Sequence, residues 1–175
     1  MSENKSFLGV KAFHEAFGHP VAKKPTAIDP KTAVNRAVWT GEEIIEFLFA
    51  TAKGDKATFE EYYHLFLEGL EKAYQKILAS DRTFETEEDV LVGQVDALTD
   101  ISYFNYGSFV VAGVDPQPIF DIVQRANMGK LGPDGKPIYR KEDGKIAKPE
   151  GWEEYYAPEK YIYEEIRRQR GESDS

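Results

Sequence analysis

The feature that most limits the fold is a succession of three long segments, each with its own helix start and helix stop and only a few residues between them. The first, "DPKTAVNRAVWTGEEIIEFLFATAKG", opens on Asp29-Pro30, an N-cap acid followed by proline at the first helical position. It closes at Gly54, which suits a left-handed C-cap. The second runs through "TFEEYYHLFLEGLEKAYQKILA" and starts near Asp55 or Thr58, where Thr58 and Glu61 have the spacing of a capping box. The third, "TEEDVLVGQVDALTDISYFNYGSFVVAG", has another capping-box pattern in Thr86 and Asp89 and stops at Gly113 before "VDPQP". A shorter helix, "PIFDIVQRANMG", follows at once, and "SFLGVKAFHEAF" near the start reads as a short amphipathic helix. Helix after helix joined by short links predicts an all-α bundle.

The rest of the chain departs from that pattern. "GPDGKPIYRKEDGKIAKPEG" carries two turn signals, Asp134-Gly135 and Asp143-Gly144, and the runs "PIYRK" and "KIAKP" around the second are expected to pair as a small hairpin. A last helix is expected near "PEKYIYEEIRRQ", followed by a polar, disordered end, "GESDS". At 175 residues the chain has room for one well-buried domain. We expect a core over about 7–130, a hairpin extension over about 131–150 and a terminal helix over about 157–170.

Inside the helical runs, the acids are placed oddly. Glu42, Glu43 and Glu46 are surrounded by Trp39, Ile44, Ile45, Phe47, Leu48 and Phe49, whereas an ordinary surface helix sorts acids and apolar residues onto opposite faces. Asp96 and Asp100, one turn apart, repeat the pattern among Val92, Val95, Leu98, Ile101 and Phe104. Glutamate is a good helix former, so the first cluster alone is equally well a solvated face. Aspartate is a poor helix residue, and two of them in mid-helix ask for a reason. If the two helices pack antiparallel, the clusters meet. Two unit charges about 4 Å apart near a surface repel by roughly 4 kcal/mol, and a divalent cation would cancel that. Oxygen-only donors select a hard ion, Mg²⁺ or Mn²⁺.

Several function classes are excluded. With 31 acidic against 22 basic residues and a net charge of −9, no basic stripe is available for nucleic acid. Absence of cysteine removes disulfides, thiolate metal sites and a Cys nucleophile. The run "MSENKSFLGV" has no signal-peptide core and no segment approaches the roughly 18 apolar residues of a membrane span, so a cytoplasmic location is the expectation. Neither a P-loop nor Gly-x-Gly-x-x-Gly occurs. His14, His19 and His64 sit in ordinary helical or connecting positions and are not read as ligands.

Glu42-Glu43-Ile44-Ile45-Glu46, followed some tens of residues later by an aspartate-bearing helix, resembles the all-α NTP pyrophosphatase superfamily: the MazG-like enzymes, dimeric dUTPases and phosphoribosyl-ATP pyrophosphohydrolases. The first motif, Glu-Glu-x-x-Glu, is complete. In the second, Glu-x-x-Asp, Asp100 supplies the aspartate while Ala97 stands in the glutamate's place, with Asp96 the neighbouring substitute. "VQRANMGKLGPDGKPIYRKEDGKIAKP" is similar to an extension of some MazG-like members. The resemblance implies hydrolysis of an NTP or dNTP between the α and β phosphates, in nucleotide-pool house-cleaning. Under it Glu43, Glu46 and Asp100 are the main metal ligands, with Glu42 and Asp96 assisting, and Glu43 also orients the attacking water. Asn127 and Lys130 then hold the outer phosphates, whereas Arg125, Lys136 and Arg140 are read as solvated. A homodimer or homotetramer is expected, because the long helices are apolar on more than one face. The competing reading is a non-catalytic helical dimerisation module with an acidic metal-binding cluster.

Overall fold

A computed structural model describes residues 3–140, 142 and 144–172. It is all-α, with seven helices and no strand among the described residues: α1 (Lys5–Ala16), α2 (Pro30–Thr51), α3 (Lys56–Leu78), α4 (Glu87–Ala112), α5 (Pro116–Met128), α6 (Trp152–Tyr155) and α7 (Glu159–Gln169). None of these helices is long and apolar enough to cross a membrane.

The helix starts follow the sequence signals closely. Asp29 caps α2, its carboxylate accepting from Thr32 N at 3.0 Å, and Pro30 takes the first helical position. Thr86 and Asp89 form the reciprocal cap of α4: Thr86 Oγ1 accepts from Asp89 N at 3.1 Å, and Asp89 Oδ2 accepts from Thr86 N at 3.0 Å. At α3 the cap is Asp55, which accepts from Thr58 N at 2.9 Å, so the Thr58–Glu61 pattern is interior to the helix. An acid three residues upstream outcompetes it, because the carboxylate accepts more strongly than a hydroxyl at the positive end of the helix. Hydrogen bonds from the first turn hold Asp29, Asp55 and Asp89 below the ordinary aspartate range. The α2–α3 link turns through two left-handed residues, Lys53 at φ 55° and Gly54 at φ 76°.

The chain divides into two compact units, one formed by Pro25–Ala97 and the other by Met1–Lys24 with Leu98–Ser175. In the first, α2 packs along α3 with Phe49 and Phe59 edge to face at 5.4 Å. The start of α2 is tied to α4 by an amide clasp: Ile28 N donates to Gln94 Oε1 at 2.7 Å, and Gln94 Nε2 donates to Ile28 O at 2.9 Å. Burial here is slight. No residue of α2, α3 or α4 is buried, and Phe47, Leu65 and Ile77 are 62%, 58% and 66% exposed.

In the second unit α5 lies between α1 and α7. Gly9 lets α1 come close to α5, where Gln124 Nε2 donates to Gly9 O at 2.7 Å. Gln169 of α7 clasps the N-cap of α5, accepting from Asp115 N at 2.8 Å and donating to Asp115 O at 3.0 Å. Phe17, Ala126 and Trp152 form the buried centre. The expected hairpin reduces to two isolated antiparallel bridges, Leu131 with Pro137 and Tyr139 with Ile146. Its Asp143 turn position, and the last three residues of "GESDS", lie outside the described residues. Tyr139 fastens this extension to the end of α1 by donating to Phe17 O at 2.9 Å. The one-turn helix α6 was not anticipated from the sequence.

Candidate active site

The five carboxylates stand on helix exteriors. Glu42, Glu43 and Glu46 lie within one turn and a residue of α2, and all three are exposed; Asp96 and Asp100 are exposed on α4. Several other acids of the chain are engaged: Asp29, Asp55, Asp89 and Asp115 cap helices, and Glu15, Glu71, Asp121, Glu153, Glu165 and Glu172 hold side-chain partners. None of the five has an ion pair or a side-chain hydrogen bond among the described residues. Their chemistry, carboxylate oxygens and nothing softer, is of the kind that suits a hard divalent cation.

Among the described residues no three His, Cys, Asp or Glu side chains converge tightly enough to hold a metal. The Gln94 clasp explains part of this. It sets Asp96, two residues on, near the start of α2, whereas Glu43 lies thirteen residues beyond Pro30, roughly 20 Å along the helix at 1.5 Å per residue. Trp39 is 49% exposed beneath the Arg36 guanidinium, and Tyr103 is 76% exposed.

Asn127 and Lys130 do come together. Lys130 Nζ donates to Asn127 Oδ1 at 2.9 Å at the end of α5, one turn apart as their spacing predicts. Burial, and after it the charge of Lys148, hold the Lys130 ammonium below the ordinary lysine range. Beneath them, Trp152 completes the helix end. The last four carbonyls of α5 need partners from outside the helical ladder. Those of Arg125, Asn127 and Met128 accept from Gly129, Lys130 and Leu131 N, and that of Ala126 accepts from the Trp152 indole N–H at 2.9 Å. Arg125, read from the sequence as solvated, is instead engaged: its guanidinium lies 5.3 Å and 4.9 Å from the Tyr156 and Tyr161 rings and donates to Tyr155 O at 3.1 Å.

The sequence profile of the phosphoribosyl-ATP pyrophosphohydrolase family matches residues 10–127, well over half of the chain. The chain belongs to that family. The match takes in all five carboxylates and ends on Asn127, so Lys130 and the whole extension lie beyond it. The chain is also similar over nearly its full length to a crystal structure from Exiguobacterium sp. 255-15, described as a candidate NTP pyrophosphohydrolase. The two share 45% identity and a TM-score of 0.89, with 98% of this chain and 99% of that one covered. The extension is therefore part of the shared fold although outside the family profile. No curated protein matches the chain significantly.

The end of α5 gathers residues that sequence reasoning passed over. Lys148 and Trp152 join Lys130 at the end of α5, and Glu153 pairs with Lys148. The signal was weak but present: a buried-type aromatic in "KPEGW", just after Gly151, whose φ of 76° makes the turn that tips the indole inward.

Proposed function

We propose that the chain is a divalent-metal-dependent nucleoside triphosphate pyrophosphohydrolase, converting an NTP or dNTP to the monophosphate and pyrophosphate. The observation that carries this reading is the set of five uncommitted carboxylates, Glu42, Glu43, Glu46, Asp96 and Asp100, on two helices and all inside the family match. In the reaction, a water oxygen bonds to the α phosphorus, the bond from that phosphorus to the α–β bridging oxygen breaks, and pyrophosphate leaves with the electron pair. Glu43 orients the water and takes its proton. Asn127 and Lys130 hold the outer phosphates. Glu42, Glu43, Glu46, Asp96 and Asp100 are the residues that would hold Mg²⁺ or Mn²⁺. The ion, when bound, offsets the charge of substrate and acids and makes water more acidic.

Assembly fits the same reading. The apolar residues left exposed along α2 and α3 support a homodimer or homotetramer, and the acids of different copies would supply the ligands that one chain does not gather. House-cleaning of the nucleotide pool is the role we assign. The test is pyrophosphate release from each common NTP and dNTP, and from phosphoribosyl-ATP, with Mg²⁺ and again with excess chelator. Chelator-sensitive release is expected. No release from any substrate would leave the second reading, a helical association module, which the same exposed apolar faces favour.

A further inference from the structure

The extension brings a second lysine to the indole that already underlies Lys130. Lys148 Nζ stands 4.0 Å from the centre of the Trp152 ring and Lys130 Nζ 5.9 Å from it. The two ammonium groups therefore lie within about one Debye length of each other, about 10 Å at 0.1 M salt. Trp152 is held in place, since it is 6% exposed and its N–H donates to Ala126 O. One cation over the ring would meet the ring's needs; the second adds repulsion, and folding gains little from it.

The charge is only partly answered from within the chain. Lys130 donates to a neutral amide, Asn127 Oδ1, and has no ion pair among the described residues. Lys148 donates to Glu153 Oε1 at 2.6 Å, but the side chains of that pair are 47% and 72% exposed. An exposed ion pair of this kind contributes little and exchanges readily. What remains is two ammonium groups, an amide and a rigid aromatic floor, with a solvent-facing carboxylate on the outer lysine. A chain of phosphates, each with several strong acceptor oxygens, answers both cations at once.

We propose that Lys130 and Lys148, set together over Trp152, form the cradle for the polyphosphate tail of the substrate, with Glu153 the internal anion that the tail displaces from Lys148. Assigning the tail to a nucleoside triphosphate rests on the function proposed above; the cradle's own chemistry takes any linear polyphosphate.

The test is a titration of the full chain, without metal, with inorganic tripolyphosphate and separately with an NTP. Trp152 emission reports binding in a Trp39→Phe background, and calorimetry on the unmodified protein gives the same constants should that variant fold poorly. Both ligands should saturate one site and compete. Lys148→Ala should weaken both by roughly tenfold or more, the loss of a charge-assisted hydrogen bond, and Glu153→Gln should tighten both a few-fold by removing the competitor. A lysine that merely pairs with Glu153 to brace Trp152 would make the two substitutions act in the same direction, and that result overturns the cradle. So does binding of the NTP with no binding of tripolyphosphate. Tripolyphosphate binding with no NTP turnover would sink the reaction and leave the cradle, whereas turnover with KM unchanged in Lys148→Ala would do the reverse.

Discussion

Replacing Trp152 with alanine should release the extension from the end of α5, and the structure sets the size of the effect. The side chain is 6% exposed, covers Ala126, and carries two lysines on its ring. Truncating a buried tryptophan costs about 3–5 kcal/mol. Part of that belongs to a single hydrogen bond. The indole N–H is the partner of Ala126 O, an end-of-helix carbonyl for which no backbone donor stands in. Trp152→Phe keeps a ring in place but leaves that carbonyl unpaired, which should cost about 1–3 kcal/mol. Urea denaturation at fixed protein concentration measures both, since any assembly makes stability concentration-dependent. The expected order is wild type, then Trp152→Phe, then Trp152→Ala, with unchanged slopes. An alanine variant within about 1 kcal/mol of wild type would refute the claim that this ring anchors the extension. Equal losses in the two variants would mean that the hydrogen bond alone matters.

Gly129→Ala should destabilise by about 1–3 kcal/mol, because the added methyl runs into the Tyr156 ring although the backbone there, at φ −64°, is ordinary helix; a rise in Tm would show that Tyr156 yields freely. Glu165 is held down to about 2 by hydrogen bonds from Arg168 and then Gln169. Its contribution is present above the ordinary carboxylate range and is lost as pH falls toward 2, so the Tm gap between wild type and Glu165→Gln should close over that window. Lys130 should titrate below the ordinary lysine range by NMR, and Lys148→Ala should move its midpoint up; an unmoved midpoint would show that burial alone sets it.

Much of the architecture was legible because helix ends are local events. Asp29-Pro30, the Thr86–Asp89 box and Gly113 each act within a few residues, and the sequence displays them directly. Where two local signals competed, as Asp55 and Thr58 did, only the folded geometry chose the carboxylate. The acidic clusters were readable as residue types out of place, and the structure adds that they are uncommitted. Their meeting was not readable, because it depends on which helix packs on which. In the structure α2 packs along α3, and α4 is tied to the start of α2 through Gln94. Trp152 and Lys148 escaped for a related reason. Their partner is the end of α5, far off in sequence, and a one-turn helix announces itself by no periodicity.

The central claim is that the carboxylates of α2 and α4 are kept free in order to hold a divalent cation. Mn²⁺ titration followed by electron paramagnetic resonance, on wild type and on Glu43→Gln with Glu46→Gln, tests it most directly. The account predicts saturable Mn²⁺ binding in the wild type and its loss in the double variant, with helix content by circular dichroism unchanged. Equal Mn²⁺ binding in the two proteins, or none in either at any oligomeric state, would contradict it.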